Sequence, residues 1–189
     1  MPHQFAHRMF TDSVKAAQEE FGSREKQERF ADVAGPNDVL TEREAEFVAA
    51  RDTFYMATVN EDGWPYVQHR GGPPGFLRVL GPRLLAYADF RGNTQLVSMG
   101  NSRSNDRVSL ILMDYPNRRR LKLLGQLRYE DARESSPDQL ASVALNSYKA
   151  RIERIVYINV VAFDWNCPQH ITRRYTPEEF AILTNLESE

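Results

Sequence analysis

The chain is poor in cysteine. Cys167 is the single one among 189 residues, so no disulfide can form within the chain, and this usage suits a reducing compartment. Long apolar runs are missing too. None approaches the roughly 20 residues that cross a bilayer, and Met1–Phe10 has no apolar core of a secretory signal. The expectation is a cytoplasmic protein without a membrane partner. Charge of one sign is also absent: 24 Lys and Arg face 26 Asp and Glu, a net charge of −2. That balance argues against the broad basic field that draws nucleic acid. No repeat, low-complexity tract or Walker-type glycine loop occurs, and Ser98, Ser102 and Ser104 lack the setting of a hydrolase nucleophile. No metal site is expected. His3 and His7 have i, i+4 spacing, but they sit on a terminus expected to fray and have no Cys or carboxylate cluster to complete them.

What is present reads as one domain with appended ends. Hydrophobic residues make up 41% of the chain and charged residues 26%, an ordinary globular balance with enough apolar material for a core. Residues 1–40 read as an N-terminal helical extension, with a helix from Asp12 to Phe21 stopped by Gly22. Gly35-Pro36-Asn37-Asp38 is turn chemistry that marks its end. Thr41 and Glu44 have capping-box spacing and open a helix to about Arg51. Strand patterns follow at Thr53–Val59 and Tyr66–Arg70, joined through Asp62-Gly63. A hairpin spans Phe76–Leu80 and Leu84–Ala88. Thr94–Met99 suits a short helix ending near Gly100. Val108–Met113 is a continuous apolar run, hence a buried strand, and Leu121–Tyr129 and Ile155–Phe163 are further strands. Ser136-Pro137-Asp138-Gln139 starts a helix to about Asn146, and Thr176-Pro177 starts another. Six or seven strands joined mostly by hairpins predict a mainly β fold, an antiparallel sheet closed into a barrel with flanking helices. The predicted units are 1–40, a barrel domain at 41–166, and a tail with a short helix at 167–189.

Three segments are more polar than a plain barrel requires. Gln68-His69-Arg70-Gly71-Gly72 leaves a strand through glycines that let a flat ligand or phosphate approach the backbone; an ordinary strand end would look the same. Asp89-Phe90-Arg91-Gly92-Asn93-Thr94 leads into a helix N-terminus, a setting that suits phosphate, though a capped turn has similar composition. Asn117-Arg118-Arg119-Arg120 abuts an apolar strand, and guanidinium forks match phosphate geometry; a solvated charged hairpin is the competing description. An RNA- or DNA-binding barrel prompted by these arginines is disfavoured by the acidic balance and the lack of an aromatic-basic stripe. Cys167 has no CxxC partner and reads as a buried structural thiol.

The order of these parts from Thr53 to Tyr129 resembles the pyridoxamine 5′-phosphate oxidase-related FMN-binding proteins. The stretches that carry the likeness read FYMATVNEDGWPYVQHRGGPPGFLRVL and LLAYADFRGNTQLVSMGNSRSNDRVSLILMDYPNRRRLKLLGQLRY. The resemblance implies a homodimer of six-stranded split β-barrels with FMN at each subunit interface. By position, Gln68, His69, Arg70 and Gly71 would line the ring edge or ribityl chain. Tyr87, Ala88, Arg91, Gly92, Asn93 and Thr94 would meet the ribityl phosphate, and Arg119 and Arg120 would contact the cofactor. The implied activity is FMN-dependent oxidoreduction, with the flavin carrying the redox chemistry and His69 and His170 as candidate proton donors. A non-catalytic module holding FMN, haem or F420 is the alternative. The vitamin B6 oxidases carry an Arg-Lys pair where this chain has Asn93 and Thr94. Their C-terminal Trp and spaced Arg are echoed only by Trp165 and Arg173 or Arg174. Both departures point away from pyridoxamine phosphate as the substrate.

Overall fold

The computed structural model describes residues 1–92, 94–145, 148, 150–165 and 168–186. Asn93, Cys167 and the expected helix end near Asn146 lie outside the described residues. Among the described residues, seven strands form one sheet: β1 (Thr53–Val59), β2 (Pro65–Gly71), β3 (Arg78–Gly81), β4 (Leu84–Phe90), β5 (Arg107–Asp114), β6 (Arg119–Asp131) and β7 (Ile152–Trp165). Their spatial order is β2-β1-β5-β6-β7-β4-β3, and each pairing is antiparallel. The architecture is the mainly β split barrel expected, with the four-residue β3 as a seventh strand. Around it lie α1 (Gln4–Met9), α2 (Asp12–Glu20), α3 (Arg24–Val33), α4 (Glu42–Ala49), α5 (Val97–Ser104), α6 (Pro137–Val143) and α7 (Pro177–Leu186).

Local chemistry explains most of these boundaries. Gly63 takes a φ of 85° in the β1–β2 turn, where the Asn60 side chain accepts from the Trp64 N–H at 2.8 Å. At α6, the Ser136 and Gln139 side chains cap each other's backbone N–H. Two expectations about helices need correction. The helix placed at Thr94–Met99 begins at Val97, because Thr94 and Leu96 hold left-handed φ values of 57° and 55°. It then runs through Gly100 to Ser104, since a helix interior tolerates a glycine at a cost of about 1 kcal/mol. The stretch after Gly22 is also helical: α3 carries Arg24–Glu28 and Glu25–Arg29 pairs at i, i+4, a spacing that supports a helix face.

Alternation along the strands builds the core. Phe54, Met56, Val108, Leu110, Leu112, Leu121 and Leu123 point inward and are buried. The run at β5 is buried on one face only; Ser109 is exposed and Ile111 and Met113 are half-buried on the other. β4 is covered on both faces. Leu85 and Tyr87 face the barrel interior. Ala86 and Ala88 pack with Val143, Leu140, Ile155 and Tyr157 under α6. Gly125 sits at a register shift between β6 and β7, where a Cβ would lie 2.6 Å from Ile158 Cγ2 and 3.0 Å from the Asn159 carbonyl.

β2 and β3 terminate the sheet, so closure relies on side chains rather than a backbone ladder. Phe54 of β1 stacks on Phe76 at 5.6 Å and meets Tyr87 of β4 edge-on at 5.6 Å. Farther along the same gap, Arg70 of β2 pairs with Asp89 of β4 at 3.6 Å.

The helices seal the outside. Glu44, buried in α4, accepts from Thr41 and from the Trp165 indole N–H at 2.8 Å. Trp165 also packs edge-on against Phe47 at 4.7 Å. Burial pushes the Glu44 carboxyl up, and the hydrogen bonds from Thr41 and Trp165 more than offset this, leaving it below its ordinary 4.5. Its contribution to stability is therefore complete above that value and is lost as pH falls through the lower, folded one. Glu44→Ala removes the acceptor of three donors, the Thr41 N–H and hydroxyl and the Trp165 indole N–H. Urea unfolding at pH 7 is expected to show a loss of about 2–3 kcal/mol.

The N-terminus is docked rather than frayed, contrary to the expectation for His3. His3 is fully buried and caps α1: its Nδ1 accepts from the Ala6 N–H at 3.2 Å. Its Nε2 lies 2.8 Å from Asn37 Nδ2, and its ring packs on Phe30 at 4.7 Å. Histidine is not among the usual capping residues, so the sequence carried little sign of this role. Burial lowers the His3 pKa from 6.5; Asp164 raises it in part and Lys122 lowers it further. A depressed histidine pKa leaves docking intact above the ordinary value and weakens it as pH falls below that value. Limited proteolysis is expected to cut within residues 1–33 faster at pH 5 than at pH 7.5, with the barrel intact at both.

Candidate functional site

The same gap in the sheet holds a cavity of about 270 Å³. β2 supplies one wall. Its alternation turns Tyr66, Gln68 and Arg70 inward and leaves Val67 and His69 outside. The other wall comes from Asp89 and Phe90 at the end of β4, Tyr129 of β6 and Arg154 of β7. The rim is the loop through Gly92 and Thr94 and the first turn of α5, Val97 to Met99. α5 is held in place by two side-chain bonds. The Ser98 hydroxyl donates to Gln68 Oε1 at 3.1 Å, and Asn101 Nδ2 donates to Thr58 Oγ1 at 2.9 Å. Among the described residues no side-chain cap bond is made at its N-terminus, which leaves first-turn N–H groups at the rim for a negatively charged ligand.

Two arginines and one carboxylate set the charge. Asp89 Oδ2 accepts from Arg154 Nε at 2.8 Å, and Arg154 Nη2 also donates to Glu153 at 3.3 Å. Arg70 meets Asp89 only as an ion pair at 3.6 Å, with its guanidinium 5.9 Å from the Tyr87 ring centre. Asp89 lies directly opposite Arg154 on the β4–β7 ladder, and the register shifts at the next residue, where Phe90 faces Ile152. A bulge of this kind re-aims side chains at a strand end.

Polar atoms here are under-used. Arg70 Nε and the Tyr87 and Tyr129 hydroxyls are buried without a partner in hydrogen-bond geometry among the described residues. Unpaired buried polar atoms are uncommon and point to a water or ligand position. Both phenols remain protonated donors at neutral pH. Burial raises Tyr87 far above 10, only partly countered by Arg70, and burial pushes Tyr129 up to about 12 against the same opposing arginine.

The expected site residues divide by strand face. Gln68, Arg70, Gly92 and Thr94 come together at the cavity. Tyr87 lies in the interior core, 2% exposed. Ala88 points to the opposite face under α6. His69 faces outward, edge-on to Tyr55 at 5.6 Å, and Gly71 ends β2 beside the His69 ring. Arg91 is an exposed loop residue whose N–H meets the Arg151 carbonyl at 3.4 Å. Arg119 lies against Phe47 and Trp165 at 5.1 and 5.0 Å, outside the cavity lining. Arg120 is half-buried with an unpartnered Nε. His170 is exposed, at a φ of 63°. Asp89, Tyr129 and Arg154 line the cavity but were not foreseen as ligand-facing. Asp89 opened the second polar segment, and a charged Arg154 amid the apolar β7 run was the available signal.

The chain is a split antiparallel barrel with a cationic cavity at its gap. The family model described as pyridoxamine 5′-phosphate oxidase matches residues 40–164, and the chain belongs to that family. Solved structures share the fold. A provisionally named pyridoxamine 5′-phosphate oxidase from Lactobacillus delbrueckii is 21% identical with a TM-score of 0.52, covering 67% of this chain and 94% of its own. HupZ from Group A Streptococcus is 12% identical with a TM-score of 0.53, covering 72% and 99%. An FMN-binding protein from Syntrophomonas wolfei is 12% identical with a TM-score of 0.50, covering 82% and 97%. No curated protein gives a significant match. Among the described residues, no helix is long and apolar enough to cross a membrane, and no group of three His, Cys, Asp or Glu could hold a metal ion.

The two buried phenols give a direct check. Ultraviolet titration at 295 nm is expected to show Tyr129 ionising near pH 12 and Tyr87 later still, with Tyr129→Phe removing the earlier of these two late steps. Because unfolded tyrosine ionises near 10, stability falls as pH rises from about 10 toward 12, and Tyr129→Phe flattens that fall.

Proposed function

We propose that the chain is an FMN-binding flavoprotein of the oxidoreductase type, holding the ribityl phosphate in the cavity between β2 and α5. The observation that carries this reading is the convergence of Arg70, Arg154, the α5 N-terminus and two unpartnered polar atoms, Arg70 Nε and the Tyr129 hydroxyl, on one small space. That donor set fits a phosphate: guanidinium forks and helix N–H groups are its common protein partners. Gln68 and Tyr66 extend the polar wall toward the mouth, where hydroxyls of a ribityl chain would find hydrogen-bond partners. When bound, FMN supplies hydride or electron transfer. The chain's own residues position it, neutralise its phosphate and shape the approach. His69 and His170 both lie outside the cavity lining, so the reading assigns no proton transfer to either.

A cavity of about 270 Å³ falls below the roughly 300–1,000 Å³ of pockets that enclose a whole ligand. The phosphate end fits, while the ring system needs a further wall. A second copy of the chain is the proposed source of that wall, giving a homodimer with a cofactor at each interface. A cytoplasmic location belongs to the same proposal.

The deciding experiment is a visible spectrum of purified protein titrated with FMN, read beside its mass in solution. Flavin bands at about 370 and 450 nm, quenched fluorescence, one FMN per chain and a dimeric mass are expected. Arg70→Met is expected to weaken FMN binding by about 10- to 100-fold, the loss of one charge-assisted contact. Protein that leaves FMN fluorescence unchanged at high concentration overturns the reading. A monomer that binds FMN fully overturns the shared-wall part alone.

A further inference from the structure

The carboxylate in this cavity is unexpected in a site for an anion. Asp89 is 15% exposed at its side chain and sits between Arg70 and Arg154, which are 18% and 17% exposed. Arg70, Arg154 and Asp89 together leave a net charge of +1 at the cavity wall, and Glu153 draws further on Arg154 from outside. The two arginines are not held equally. Arg154 is hydrogen-bonded to Asp89 at 2.8 Å through Nε. Arg70 meets Asp89 only through a 3.6 Å ion pair; it also interacts with the Tyr129 side chain, and its Nε has no partner. Asp89 thus holds one guanidinium by a hydrogen bond and the other more loosely.

We propose that Asp89 is a specificity-determining residue: an internal carboxylate that stands in for the ligand's anionic group and competes with it for Arg70. In the ligand-free protein Asp89 compensates two charges that would otherwise repel across the gap between β2 and β4. When a phosphate enters, Arg70 turns its free donors to it, and Asp89 keeps Arg154 but now faces a like charge. Asp89 thereby lowers affinity for every phosphate-bearing ligand and sets a threshold on ligand charge. It leaves binding of the uncharged part of the ligand unaffected. This rests on the reading that the cavity takes a phosphate end.

Asp89→Asn is the informative variant, because the amide oxygen can still accept from Arg154 Nε while the competing charge is gone. Wild type and variant are titrated with FMN, with riboflavin, which lacks the phosphate, and with inorganic phosphate followed by thermal shift. The variant is expected to bind FMN on the order of tenfold tighter, a coupling reduced from the bare Coulomb value by partial exposure. Riboflavin affinity should be the same in both proteins, and the ligand-free variant should melt at a lower temperature. Equal or weaker FMN binding by a folded variant, or parallel changes for FMN and riboflavin, overturns the proposal and makes Asp89 a scaffold for the arginines. If wild type binds no flavin, the functional reading fails separately. The phosphate arm then decides: greater phosphate stabilisation of Asp89→Asn supports the competition, and equal stabilisation overturns it. Should Asp89→Asn not fold, Asp89→Ser, which leaves room for a water between the guanidiniums, takes the same tests with the same deciding outcomes.

Discussion

The contact on which the molecule depends is the closure of its sheet across a gap with no strand ladder. β2 and β3 end the sheet, and unpaired strand edges invite pairing with other chains. Phe54, Phe76 and Tyr87 close the apolar part of that gap, and Arg70, Asp89 and Arg154 close the polar part. The change from rings to charges along one seam places a water-accessible, cationic cavity directly beside a dry core. The same seam therefore carries both the closure of the fold and the walls of the cavity.

The helices make this arrangement possible. α6 covers the outer face of β4, so β4 can afford an apolar residue on each side until it reaches Asp89. α5 is tied to β1 and β2 through Thr58 and Gln68, which fixes its N-terminus at the cavity rim. At the opposite side of the barrel, Trp165 joins the end of β7 to α4 through Glu44. The N-terminal helix docks nearby through His3, Asn37 and Phe30.

Much of this was legible in the residues. Residue patterns and turn signals located the seven strands, and Thr41–Glu44 and Ser136–Gln139 placed two capped helices, because these signals are local and the structure does not override them. Gly92 and Thr94 of the expected residues line the cavity. His69 and Ala88 point elsewhere, because a segment match cannot say which alternate residues face the cavity until strand register is known. Arg154 was hidden for a different reason. Its partner Asp89 lies 65 positions away, and only the β4–β7 ladder brings them together. His3 escaped notice because its burial depends on Asn37 and Phe30, which only tertiary packing supplies.

A seam closed by side chains has a different mutational character from a closed ladder. Backbone pairing does not depend on side-chain identity, so a fully laddered barrel keeps its closure through most single substitutions. Here the circumference is completed by about six side chains, three aromatic and three charged. Single exchanges among the charged three can alter the cavity's polarity and width while every strand keeps its register. Along this line of a few residues the aromatic three hold the dry core together, and the charged three set the character of the cavity while contributing to closure.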